Sequence, residues 1–140
     1  MQSGYPMSIT QPNDNSNIGA NHMRPNATGL EPGSDRSFAE RIDGWLNPAA
    51  FSQAPVFTFG NLSRTISLRG PGQINWDLSI FKTFPIGERF KAQFRAEALN
   101  FTNTPMFYAP NRTFTNAQFG KITEQANFSR MIQLGVRFYL

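Results

Sequence analysis

At 140 residues the chain is long enough for one ordinary domain, and 14 Phe, 11 Gly and 10 Pro against only 16% charged residues suit strands joined by polar loops rather than helices. The absence of Cys excludes a disulfide or a thiolate metal site. The formal charge of +4 raises a polyanion partner, but the Arg and Lys residues are scattered and form no basic run, so a nucleic-acid partner is not expected.

No apolar run approaches the ~20 residues of a membrane helix, which excludes a helical span but not a barrel span, whose strands alternate and average out as polar. Met1 to Gln11 lacks the charged start and apolar core of a signal peptide, so a protein acting outside the cytoplasm would need a longer precursor. Gly4 to Thr10 is a weak strand candidate. From Gln11 to Gly72 Asn, Pro, Gly and Ser dominate, with a helical turn predicted in Phe38 to Trp45 and a strand fragment in Val56 to Phe59. A connection of this length implies a functional loop or disorder. His22, the only histidine, has no nucleophile motif around it and reads as a solvated loop residue. Gly70-Pro71-Gly72 ends an extended approach as a turn, without the Lys and following helix of a phosphate loop.

Ile74 to Phe101 carries two arms of period two, the pattern of strands with unlike faces. Trp76, Leu78 and Ile80 share one face of the first arm while Asp77, Ser79 and Thr83 share the other. In the second, Phe90, Ala92, Phe94, Ala96 and Ala98 oppose Lys91, Gln93, Arg95 and Glu97. Between them Pro85-Ile86-Gly87 fits a three-residue hairpin loop with Pro first and Gly last. That turn sets Phe84 opposite Glu88, Asp77 opposite Arg95, Ser79 opposite Gln93, Leu78 opposite Phe94 and Ile80 opposite Ala92. Thr102 to Arg130 is again polar and turn-rich, with a short pairing predicted at Phe119 to Ile122. Its rings Phe107, Tyr108, Phe114 and Phe119 suit either a stacking platform for a ligand or a packed loop interior. The last stretch, Met131 to Leu140, places Ile132, Leu134, Val136, Phe138 and Leu140 on one apolar face.

Two surroundings accept such faces: a second sheet, as in a soluble β-sandwich binding module or adhesin burying Trp76, Phe94 and Val136, or lipid. Strand length favours lipid, because ten residues rising ~3.3 Å each at a tilt of ~40° cross about 25 Å, the apolar band of an outer-membrane barrel. Loop asymmetry agrees, since such barrels have short periplasmic turns and long outer loops. Trp76 and Phe101 would then mark the outer aromatic girdle, and Phe84, Phe90 and Phe138 the inner one.

The ordered series Arg69-Gly70-Pro71-Gly72, Asn75-Trp76-Asp77-Leu78-Ser79, Phe81-Lys82, Phe84-Pro85-Ile86, Glu88-Arg89, Phe94-Arg95-Ala96-Glu97, Asn100 and Asn103-Thr104-Pro105 resembles the carboxyl-terminal end of TonB-dependent outer-membrane receptors of the Oar-like type. Trp45 to Phe51 and Phe59 to Arg64 resemble the segment preceding it, so the resemblance covers most of the chain from about Arg24. It implies a large barrel, of about 22 strands in plugged transporters, of which this chain holds the last few. It also implies that Val136, Phe138 and Leu140 carry the signal read by barrel-assembly machinery, with Leu140 standing where the family pattern has Phe. The partners implied are membrane lipid, that machinery, the plug and upstream strands, TonB through them, and an unidentified small substrate.

The fold expected is therefore all-β: antiparallel strands of a transmembrane β-barrel, a partial barrel with long extracellular loops. Residues 1–72 form a weak strand and a long loop; strands cover 74–84, 89–101 and 130–140, with an outer loop at 102–129. Trp76, Leu78, Ile80, Phe94, Ile132, Leu134, Val136 and Phe138 are expected to face lipid. Asp77, Arg95, Glu97 and Arg137 are expected to line the lumen, and Pro85, Ile86 and Gly87 to make the periplasmic turn. No catalytic constellation, cofactor site or metal site is expected.

Overall fold

The computed structural model describes residues 1–20 and 22–140, and these divide into two compact units. The first, the sheet unit, comprises residues 1–2, 73–106 and 125–140; the second, the loop unit, comprises residues 3–72 and 107–124.

Taken in chain order, the loop unit holds β1 (Asn26–Ala27), α1 (Phe38–Arg41), a 3-10 turn at Pro48–Ala50 and β2 (Phe51–Ser52), and β1 pairs antiparallel with β2. The sheet unit holds β3 (Leu78–Ile86), β4 (Phe90–Leu99) and β5 (Met131–Tyr139), ordered β3-β4-β5 and antiparallel throughout.

The hairpin between β3 and β4 turns two residues later than the Pro-Ile-Gly reading expects. Pro85 pairs with Lys91 and Ile86 with Phe90, so both belong to β3 and the loop is Gly87-Glu88-Arg89. Two turn signals compete here, and Gly87 decides. Its φ of +73° is open to Gly at no steric cost, while β3 is an edge of the described three-strand sheet, where Pro can be accommodated. Phe84 consequently lies opposite Ala92 rather than Glu88, and Asp77 is not paired with Arg95: Phe81 takes that place. Because the slip is an even number of residues, every side chain stays on its face.

The loop unit folds around its own core. Met7 and Ile9, at 0% and 1% exposed, pack in one cluster with Trp45, Leu46, Ala50, Phe51, Leu62, Ile66 and Ile122. The segments meet through scattered backbone bonds rather than ladders, among them Ile66 N–H to Met7 O at 2.9 Å, Ile122 N–H to Ile42 O at 2.8 Å and Trp45 N–H to Gly120 O at 2.7 Å. Gly4 to Thr10 is thus not a strand; it makes isolated bridges at Pro6 and Thr10. Val56 to Phe59 is a turn, with Phe57 at a φ of +61°. The helical turn is present at Phe38–Arg41, where the Glu40 carboxylate accepts from the Ser37 hydroxyl at 2.8 Å and the Ser37 N–H at 3.3 Å, a capping arrangement that satisfies an otherwise orphaned donor. Phe119 to Ile122 pairs with Asn111 through two backbone bonds of 2.8 Å.

Candidate functional site

The three long strands make a sheet with two unlike surfaces. The register aligns Leu78, Ala98 and Ile132 in one row, then Ile80, Ala96 and Leu134, then Lys82, Phe94 and Val136, then Phe84, Ala92 and Phe138. Since directly opposed residues share a face, this surface is apolar except for Lys82. Ile132, Leu134, Val136 and Phe138 are 65%, 67%, 59% and 72% exposed. Contiguous apolar surface of this kind is beyond what a water-soluble monomer ordinarily tolerates. A β-sandwich would bury Trp76 and Phe94, which are 64% and 43% exposed.

The opposite surface is polar. Arg95 lies between Phe81 and Gly135, and Gln93 between Thr83 and Arg137. Gln93 donates to Thr83 Oγ1 at 3.3 Å and accepts from the Tyr139 hydroxyl at 3.1 Å. Arg95 Nη2 meets Glu97 Oε1 at 2.6 Å, two residues along its own strand and therefore on the same face. A groove of about 240 Å³ runs along this surface, lined by Gln93, Arg95, Glu97, Gln133, Gly135 and Arg137 among others.

Asp77, expected on this charged ladder, precedes β3 and does different work. Its Oδ1 accepts from the Asn100 N–H at 2.8 Å, and its carboxylate holds the Asn75 amide at 3.1 and 3.2 Å. Asn100 is buried, takes a φ of +50°, donates to Phe128 O at 3.0 Å and accepts from Thr104 N–H at 3.0 Å. Asn103 Oδ1 accepts from Arg130 N–H at 3.0 Å, and Asn127 joins Met106 N–H and Thr104 O. These asparagines tie the exit of β4 to the entry of β5. Asn tolerates the left-handed region and bonds local backbone, and Asn100 and Asn103 both take a positive φ here, so the sequence signal that marks them is the residue type itself. At the same end Phe101 N–H bonds Trp76 O at 2.7 Å, while Phe84, Phe90 and Phe138 lie toward the turn.

In the loop unit Phe51, Phe114 and Phe119 meet edge-on or tilted, with centroids 5.5 to 6.2 Å apart. Phe107 is also packed against the core and Tyr108 is exposed. The ligand-platform reading thus keeps only part of its rings: Phe114 and Phe119 back a cavity of about 800 Å³ that Asp35, Arg36, Asp43 and Lys121 also line. Ser16 and backbone N–H groups around Gly19 hold the Asp14 carboxyl below its usual range, and Ser37 does the same for Glu40. His22 is exposed, and among the described residues no three His, Cys, Asp or Glu side chains are placed to hold a metal.

The family model of the outer membrane β-barrel domain matches residues 1–133. The chain belongs to the outer membrane β-barrel domain family. Its antiparallel, nearly helix-free architecture is that of such a domain, and its place is the outer membrane. The matched span takes in the whole loop unit as well as β3 and β4, so in this barrel domain the folded loops belong to the architecture as much as the strands do. Searches of the curated proteins and of the solved structures returned no match.

Proposed function

We propose that this barrel domain is the carboxyl-terminal part of a TonB-dependent receptor of the Oar-like type, and that it acts as wall and capture surface rather than as an enzyme. Three strands cannot close: bacterial barrels have at least ~8, and an open sheet leaves unpaired edges. The rest of the wall would come from upstream strands, with β5 completing the closure and Val136, Phe138 and Leu140 presented to the assembly machinery. The apolar face would meet lipid, the face of Arg95, Glu97 and Arg137 would line the lumen, and the loop at Gly87–Arg89 would be periplasmic. On this reading the loop unit would be extracellular, and its cavity would take part in substrate capture.

The observation carrying this reading is the uninterrupted exposed apolar face of β5 beside a polar face bearing Arg95, Glu97 and Arg137. The receptor type rests on the ordered motif series from Arg69 to Pro105. Its test is binding of the intact receptor, purified from membranes, to the periplasmic domain of TonB. Specific binding lost on removal of the receptor's TonB-contacting segment is expected; a barrel that assembles normally and never binds TonB contradicts the receptor type and leaves the barrel domain standing.

A further inference from the structure

Lys82 breaks the apolar face and has a definite setting there. It stands in the row of Phe94 and Val136, one row from Phe84, Ala92 and Phe138, with Ile86 and Phe90 beyond. The small Ala92 is therefore flanked across the strands by Phe84 and Phe138, and along β4 by Phe90 and Phe94. The result is a recess walled by four rings with a cation at its corner. Lys82 Nζ lies 5.2 Å from the centroid of Phe84, so the side chain leans along β3 toward the turn. Such contact of an ammonium with a ring face is attractive.

Depth along the strand gives this direction a meaning. Four residues separate Lys82 from Ile86, which at ~3.3 Å each and a tilt of ~40° puts its backbone about 10 Å from the turn level. A lysine there is costly if its charge stays in hydrocarbon and nearly free if the stem carries it to the interface. No Asp or Glu lies on the apolar face of the three strands. At the turn Glu88 is offset by Arg89, and Lys91 points from the opposite face. Among the described residues the charge of Lys82 thus has no acidic partner on this face, and an anion from the leaflet would complement it.

We propose that Lys82 and the recess over Ala92 form a headgroup site for an anionic phosphoglyceride in the leaflet at the turn end. The lipid phosphate accepts from the Lys82 ammonium, and the glycerol and first acyl methylenes lie over Ala92 between Phe84 and Phe138. This site rests on the reading that the apolar face meets lipid.

The test uses the full-length barrel protein, stripped of lipid in detergent and titrated with dioleoyl phosphatidylglycerol or phosphatidylcholine, with retained lipid counted by native mass spectrometry. Lys82→Gln should lower phosphatidylglycerol retention about five-fold, the worth of one cation at an anionic surface. Lys82→Arg should keep it, and Lys91→Gln on the other face should leave it unchanged. Equal retention by Lys82→Gln and the unsubstituted protein, or an equal fall in Lys91→Gln, overturns the site. In parallel, a fluorophore on Val136→Cys is exposed to brominated acyl chains in vesicles. Quenching there with an indifferent Lys82→Gln removes the headgroup site alone; no quenching removes the lipid-facing reading and the site with it.

Discussion

The loop unit and the sheet unit use the same kinds of side chain in opposite ways. In the first, Met7, Ile9 and Leu46 are sealed inside, with Gln11 buried beside them and accepting from the Ala54 N–H; in the second, Ile132, Leu134, Val136 and Phe138 stand outward on one face while Arg95 and Glu97 pair on the other. Burial of apolar area is favourable wherever water is the alternative, so one unit is built against water and the other against something apolar. The negative mean hydropathy of the whole chain averages these two designs and describes neither.

The largest expected effect tests the water-adapted half. Leu46→Ala should cost the loop unit about 2–5 kcal/mol, the range for emptying a packed core position. Hydrogen exchange should show lost protection at the amides of Ile66 and Ile122, with β4 amides unchanged. An equal loss in β4 would mean that the two units do not respond separately.

Val136→Arg should cost about 2–4 kcal/mol if it lies near mid-bilayer, whereas Arg137→Val on the polar face should stay within about 0.5 kcal/mol. A membrane-insertion assay that tolerates both equally erases the contrast between the faces. Next comes Asn100→Ala, which leaves the Thr104 N–H and Phe128 O without their partner and should lower barrel stability by about 1–3 kcal/mol. A denaturant midpoint left unmoved would show that the asparagine ties are dispensable.

Gly87→Ala should cost about 1 kcal/mol through its positive φ, and Pro85→Ala less. The reverse order in the same denaturant series would restore the turn to Pro85-Ile86-Gly87. The smallest effect is local. The folded pKa of Glu40 is lowered, first by the Ser37 hydroxyl, so its contribution is present above the ordinary carboxylate range and is lost as pH falls through the depressed value. Exchange at the Ser37 amide should quicken only at that acidic end; a change near neutrality would assign it to another group.

Which residues share a face was legible because period two needs only the sequence. Leu78, Ile80, Phe84 and Ile86 mark one side of β3 under any even slip of register, and continuing that count places Lys82 among them. The register itself was not legible. Pro85 and Gly87 offered rival turns, and the apparent match of Asp77 with Arg95 misled because Arg95 has Glu97 on its own strand and Asp77 has the Asn100 amide. The loop unit was the least legible part. Its core joins Met7 and Ile9 to Trp45, Ile66 and Ile122 across long stretches of chain with no repeating pattern, so each apolar residue reads in sequence as an isolated island.

Whether lipid meets the exposed apolar face is decided by a cysteine scan of β5 in the assembled barrel. Fluorophores placed one at a time at residues 132–138 are quenched either by brominated acyl chains or by aqueous iodide. Strict alternation is expected, with 132, 134, 136 and 138 quenched from lipid and 133, 135 and 137 from water. Quenching from water at both sets, or from lipid at neither, would contradict it.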